Sequence, residues 1–201
     1  MTVMGSMRNT NLLGVTKTPY VPYDIITVSA DSSITVTSNG TNCISAFKPS
    51  GTYAWDSQIY SSTSYVSPCT IEFSKLAPTV DVSSAYAMIG WNVDPTTNSS
   101  YTSLDYAAYP YLPSFYSVYH NGSQVSSGQT WDPTKRFYIS YDTSGNLKHW
   151  NGSTLLFSVN YGTGRTVYLD TSFCSTDPVY SGFSNIRITK LSWNGNAYVN
   201  T

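Results

Sequence analysis

Glu72 is the only glutamate in the chain, and its neighbours bear on whether this protein hydrolyses anything. A glycosidase built on strands needs two carboxylates about 5–9.5 Å apart across a groove. Such pairs commonly sit at i, i+2 or i+4, because alternate strand residues share a face. Here Thr70 and Ser74 hold the even positions, and no other acidic residue lies within four of Glu72. His120 and His149 are the only histidines, and without a Gly-x-Ser-x-Gly elbow they read as half-exposed turn residues. Cys43, Cys69 and Cys174 form no Cys-x-x-Cys pair and read as reduced, buried small hydrophobes, with one disulfide plus a free thiol as the alternative. Asp94, Asn98 and Asp105 are hard oxygen donors of the kind Ca²⁺ takes. Asp94-Pro95-Thr96-Thr97, however, reads as a plain type I turn. The expectation is therefore no catalytic residue, no metal and no cofactor.

The remaining chemistry is aromatic. A pyranose offers an apolar face for stacking and a rim of hydroxyls, and Tyr and Trp match both. Eighteen tyrosines supply the candidates. Tyr106, Tyr109 and Tyr111 crowd into the Pro-rich run Tyr106 to Pro113, read as a loop presenting tyrosines. Trp150 and the amide of Asn151 lie beside a second turn, and these five residues form the expected glycan site, with Tyr101 and Tyr116 as further aromatic candidates. Alternation requires many of the other tyrosines to face a core.

Strands must position these groups. Phe137 to Val159 reads as strand, turn, strand, turn, strand, its alternation broken at Asp142–Asn146 and at Asn151-Gly152. Asn-Gly suits a two-residue hairpin turn because both central residues take positive φ. Further strands read at 25–29, 34–37, 43–47, 68–73, 86–91, 115–119, 166–169 and 186–193, with a short helical turn near Ser74 to Leu76. About a dozen strands in one domain, 23–201, predict two antiparallel sheets face to face. Residues 1–22 read as an N-terminal arm or attachment segment, without a signal-peptide apolar core. Only 10% of residues are charged and the formal net charge is -1, which gives no electrostatic case for nucleic acid. No apolar run reaches the roughly 20 residues of a spanning helix, so no membrane insertion is expected. Near-neutral charge fits a place in a larger assembly or homo-oligomer. Asn-x-Ser/Thr sequons at Asn39, Asn98, Asn121 and Asn151 read as turn chemistry rather than glycosylation sites.

Three segments carry a resemblance. They are Trp55-Asp56-Ser57-Gln58-Ile59-Tyr60-Ser61, the run from Ala87 through Asp94-Pro95-Thr96-Thr97 to Tyr109, and Val118-Tyr119-His120-Asn121-Gly122 with the following hairpins. Together, over roughly residues 45–195, they resemble the concanavalin-A-like (SPRY-like) jelly-roll domains of phage tail proteins and large DNA virus structural proteins. Trp91 and the His149-Trp150 pair depart from that pattern at positions where a surface pocket could change. The resemblance implies an antiparallel concanavalin-like β-sandwich and a virion component, tail- or capsid-associated, with other virion proteins as partners. It leaves three functions open: a non-enzymatic adhesin for host-surface glycan, a purely structural minor capsid or decoration protein packing through Tyr-rich surfaces, and a polysaccharide hydrolase.

Overall fold

The meander read between Phe137 and Val159 forms the tenth to twelfth of sixteen strands among the described residues. The computed structural model describes residues 21–49, 53–76, 85–111, 114–175 and 181–201. In chain order the strands are β1 (Val28–Ala30), β2 (Thr35–Ser38), β3 (Ile44–Lys48), β4 (Ile59–Ser61), β5 (Cys69–Lys75), β6 (Ala85–Asn92), β7 (Ala107–Tyr111) and β8 (Phe115–His120). They continue as β9 (Ser123–Thr130), β10 (Phe137–Tyr141), β11 (Asn146–Asn151), β12 (Thr154–Asn160), β13 (Tyr168–Ser175), β14 (Ser181–Thr189), β15 (Ser192–Trp193) and β16 (Tyr198–Val199).

Sheet 1 runs β1-β4-β13-β6-β7-β8-β9, and sheet 2 runs β12-β11-β10-β5-β14-β3-β2. Their pairings are antiparallel. The two early strands that flank Ala30-Asp31-Ser32 part company, β1 joining β4 and β2 joining β3 in the opposite sheet. Ser74 and Lys75 continue β5, which ends there, instead of turning helical. A short 3-10 turn forms at Tyr101–Ser103, capped by the Ser100 hydroxyl.

Period-two alternation builds the core between the sheets. Cys69, Ile71 and Phe73 of β5 face inward with Phe137, Ile139 and Tyr141 of β10, and all six are buried. From sheet 1 come Ala87, Ile89 and Trp91 of β6, with Leu169 and Phe173 of β13. Each Ile, Leu or Phe among them contributes about 1.5–3 kcal/mol on burial. Trp91 is in this core and not at a surface pocket; its indole N–H donates to the Ile139 carbonyl of the other sheet at 3.1 Å. The three cysteines are free and buried.

Two turns show how fine the register signal is. At β8–β9, His120 faces Ser123 across Asn121 (φ 47°) and Gly122 (φ 75°), the pair of positive φ values that Asn-Gly favours. At β11–β12, Asn151 is instead the last strand residue, paired with Thr154, and the loop is Gly152-Ser153. The same dipeptide thus sits one position earlier, and Asn151 points into the protein. At Gly182 a Cβ would collide with the Ala46 carbonyl and with Phe47, so β14 can lie this close to β3 only with glycine there.

The N-terminal arm expected over residues 1–22 lies outside the described residues except for its last two. Of these, the Pro22 carbonyl accepts from the Thr189 hydroxyl, and the Asp24 N–H then donates to Ile188. No helix among the described residues is long and apolar enough to cross a membrane.

Candidate functional site

The outward faces of β6, β7 and β8 share one periodicity. Tyr86, Tyr109, Tyr111, Phe115 and Tyr119 all point away from the core, while Ala87, Ala108, Pro110, Tyr116 and Val118 point in. Register sets Tyr109 opposite Ser117 and Tyr111 opposite Phe115, so a small residue leaves room beside the central ring. Trp55 reaches this face from the segment before β4, and Tyr101 from the 3-10 turn.

The result is a continuous ring network. Tyr109 lies 6.0 Å from Trp55, 5.9 Å from Tyr86, 5.7 Å from Tyr119 and 4.8 Å from Tyr111, the last pair stacked. Tyr111 stacks on Phe115, Tyr101 meets both Trp55 and Tyr119, and Tyr53 packs edge-on against Tyr86. Tyr53 is 61% exposed and Phe115 42%. Burial, followed by neighbouring phenols, pushes the Tyr109 hydroxyl above its ordinary range; burial also raises those of Tyr86 and Tyr119. Protonated phenols on a partly exposed aromatic face can both stack on an apolar ligand face and hydrogen-bond its rim.

The structure divides the five expected glycan residues. Tyr109 and Tyr111 lie on this face, in strand β7 and not in a loop. Tyr106 has the opposite parity and packs against the main core; its φ of 26° is unusual for a tyrosine, and its ring stacks on His120 at 4.2 Å. Trp150 and Asn151 belong to the other sheet. Trp150 faces outward, where the loop between β15 and β16 covers it at Gly195. Asn151 is buried, accepts from the Asp132 N–H at 2.7 Å and donates to the carbonyls of Asp132, Lys135 and Arg136. Its amide therefore clamps the 132–136 turn, so it is placed neither to meet a ligand nor to carry a glycan. Of the two further candidates, Tyr101 reaches this face, whereas Tyr116 is buried in the main core. Sequence reasoning missed Tyr53, Trp55, Tyr86, Phe115 and Tyr119 as members; for the three strand residues, parity with Tyr109 was the available signal.

The acidic groups weighed for chemistry are each engaged by other residues of the fold. Glu72 lies on the outward side of sheet 2, 2% exposed. It accepts from Tyr23 at 2.7 Å, from Tyr198 at 2.5 Å and from the Arg136 guanidinium, with Arg187 at 3.9 Å. Asp94 closes the turn read from sequence, its carbonyl accepting from the Thr97 N–H and its carboxylate from the Thr97 hydroxyl. Asp105 accepts from the Tyr161 hydroxyl at 2.6 Å. Among the described residues no three His, Cys, Asp or Glu side chains group to hold a metal.

His149 is not a half-exposed turn residue: it is fully buried between the sheets, with Nδ1 2.6 Å from the Tyr116 hydroxyl. Burial pushes its imidazole down to about 3. The unfolded chain, with an ordinary pKa near 6.5, therefore takes up this proton first, and His149 withdraws stability as pH falls from about 6.5 towards 3. Burial also holds the Asp170 carboxyl well above the usual carboxylate range, which adds slope of the opposite sign. Comparison with a His149→Phe variant isolates the histidine. Between pH 7 and 5 the wild type is expected to lose about 2 kcal/mol relative to the variant, read from urea midpoints at the two pH values.

No protein-family model and no curated protein matches the chain. Solved structures do. The Emp46p carbohydrate recognition domain, in its metal-free form, aligns with a TM-score of 0.56 at 12% identity, covering 83% of this chain and 88% of that one. The SPRY domain of human HERC1 aligns with a TM-score of 0.53 at 14% identity, covering 83% and 97%. The VIP36 exoplasmic/lumenal domain in its Ca²⁺/Man2-bound form gives 0.55 at 9% identity, covering 83% and 81%. At such identities the likeness is one of fold, and this chain has the concanavalin-like β-sandwich that SPRY and L-type lectin domains share.

Proposed function

We propose that this protein is a non-enzymatic virion surface component, tail- or capsid-associated, that binds host-surface glycan through the aromatic outer face of sheet 1. The observation that carries the glycan reading is the ring network centred on Tyr109, partly exposed and rich in phenolic hydroxyls. The virion setting is supported by the resemblance of the three sequence segments. The neighbours, a carbohydrate recognition domain and a Ca²⁺/Man2-bound form among them, are compatible with carbohydrate as the ligand class. The non-enzymatic reading is supported by Glu72, whose carboxylate is held by two arginines and two tyrosines instead of facing a second acid across a groove.

A glycan array probed with the full chain as a multimer tests this, since weak single sites gain through effective concentration. The expected result is saturable binding to a subset of glycans, competed by free sugar. A second reading is favoured by the exposed Phe115 and Tyr53, since aromatic, charge-poor surface also suits a protein interface. A folded multimer that binds no glycan but crosslinks to a capsid protein in intact particles would establish that structural role instead.

A further inference from the structure

A second recess lies away from the aromatic face, where the chain crosses from β4 to β5. Backbone bonds between Tyr65 and Val167, 2.7 and 2.8 Å, fix the crossing segment against the approach to β13. This leaves a cleft of about 380 Å³ whose lining includes Ser64, Val66, Ser67, Pro68, Thr166 and Lys190. That volume is within the roughly 300–1,000 Å³ range of small-molecule sites.

Its chemistry is mixed. Val66, 57% exposed, and Pro68 form an apolar wall. The Ser64, Ser67 and Thr166 hydroxyls have no protein partner among the described residues, so each is free to donate and accept. Lys190 belongs to the lining, and its ammonium stands 3.4 Å from the carboxylate of Asp24, which is outside the lining itself but within reach of a group bound to Lys190. That pair places a donor beside an acceptor with no net charge. A vicinal diol satisfies it by donating one O–H to the carboxylate and accepting from the ammonium with the other oxygen.

We propose that this cleft is a binding site for one neutral pyranose unit, its diol on Lys190 and Asp24, its other hydroxyls on Ser64, Ser67 and Thr166, and its apolar face on Val66 and Pro68. An anionic sugar gains no net attraction here, because Asp24 offsets the charge of Lys190. The proposal adds a second sugar position to the glycan reading but uses none of the aromatic-face residues, so the two fail separately.

The test is amide chemical-shift titration of the full chain with methyl glycosides of glucose, galactose, mannose and N-acetylglucosamine, with methyl glucuronide as the charged control. At least one neutral glycoside is expected to give saturable millimolar shifts confined to residues 24, 64–67, 166 and 190. Thr166→Val and Lys190→Ala, both at exposed positions, should each weaken that binding tenfold or more with unchanged melting temperature, and Tyr111→Ala should leave it intact. Absence of saturable shifts at the cleft, persistence in both cleft variants, or tighter binding of the glucuronide would overturn the proposal. Loss of array binding in Tyr111→Ala while the cleft shifts remain would bear on the aromatic face alone.

Discussion

Trp91→Ala is expected to destabilise the protein by about 3–5 kcal/mol, the range for deleting a buried aromatic side chain. Trp91 is completely buried, packs at 5.6 Å against Tyr65, and bonds across the core to Ile139 of the opposite sheet. Truncation opens a cavity where the two sheets meet and leaves the Ile139 carbonyl without its indole donor. Trp91→Phe separates the two contributions: it keeps most of the packing and loses the bond, so about 1–3 kcal/mol should go. Urea unfolding of both variants measures this. Equal losses would mean that the cross-sheet bond, and not the filled volume, ties the layers together.

Glu72→Ala is expected to cost about 3 kcal/mol, the low end for breaking a buried ion pair, because Arg136 and Arg187 both keep access to water. The loss should also be local in a particular way. Glu72 joins Tyr23 from the start of the described chain to Tyr198 of the β15–β16 ribbon, and Trp193 of that ribbon stacks on Tyr138 at 4.2 Å. Hydrogen exchange in Glu72→Ala should rise in residues 21–24 and 192–201 well before it rises in β10. A hydrolase would predict the reverse emphasis, with Glu72→Gln leaving the fold unchanged and abolishing a turnover measurable in the wild type.

The residues that sequence reading placed well are those governed by local alternation. Cys69, Ile71 and Phe73 share the core face, and the meander from Phe137 appears in the expected order, because period-two patterning specifies which face a residue takes. Tyr106, Tyr109 and Tyr111 looked like one set because they are adjacent in sequence. Parity separates them, and the positive φ at Tyr106 turns the chain into β7 with that ring on the core side. Asn151-Gly152 carried a true turn signal, but the hairpin register places it one residue early, which converts an expected ligand contact into a buried clamp. Tyr101 was a candidate by residue type alone; that it and Trp55 join the face around Tyr109 was not legible. They come from a loop and a 3-10 turn, and their meeting depends on how separate chain segments pack over sheet 1.

The aromatic face is the central claim, and a binding isotherm across three variants tests it most directly. The full chain would be displayed as a multimer and titrated with its best array glycan, alongside Tyr109→Ala, Tyr111→Ala and Trp150→Ala. If the ring network is the binding surface, each of the two tyrosine variants should lose about 2 kcal/mol, roughly thirtyfold in affinity, as expected for a central aromatic contact. Trp150→Ala, on the other sheet, should bind as the wild type does. Unchanged affinity in both tyrosine variants would contradict the account, and loss confined to Trp150→Ala would move the site to sheet 2.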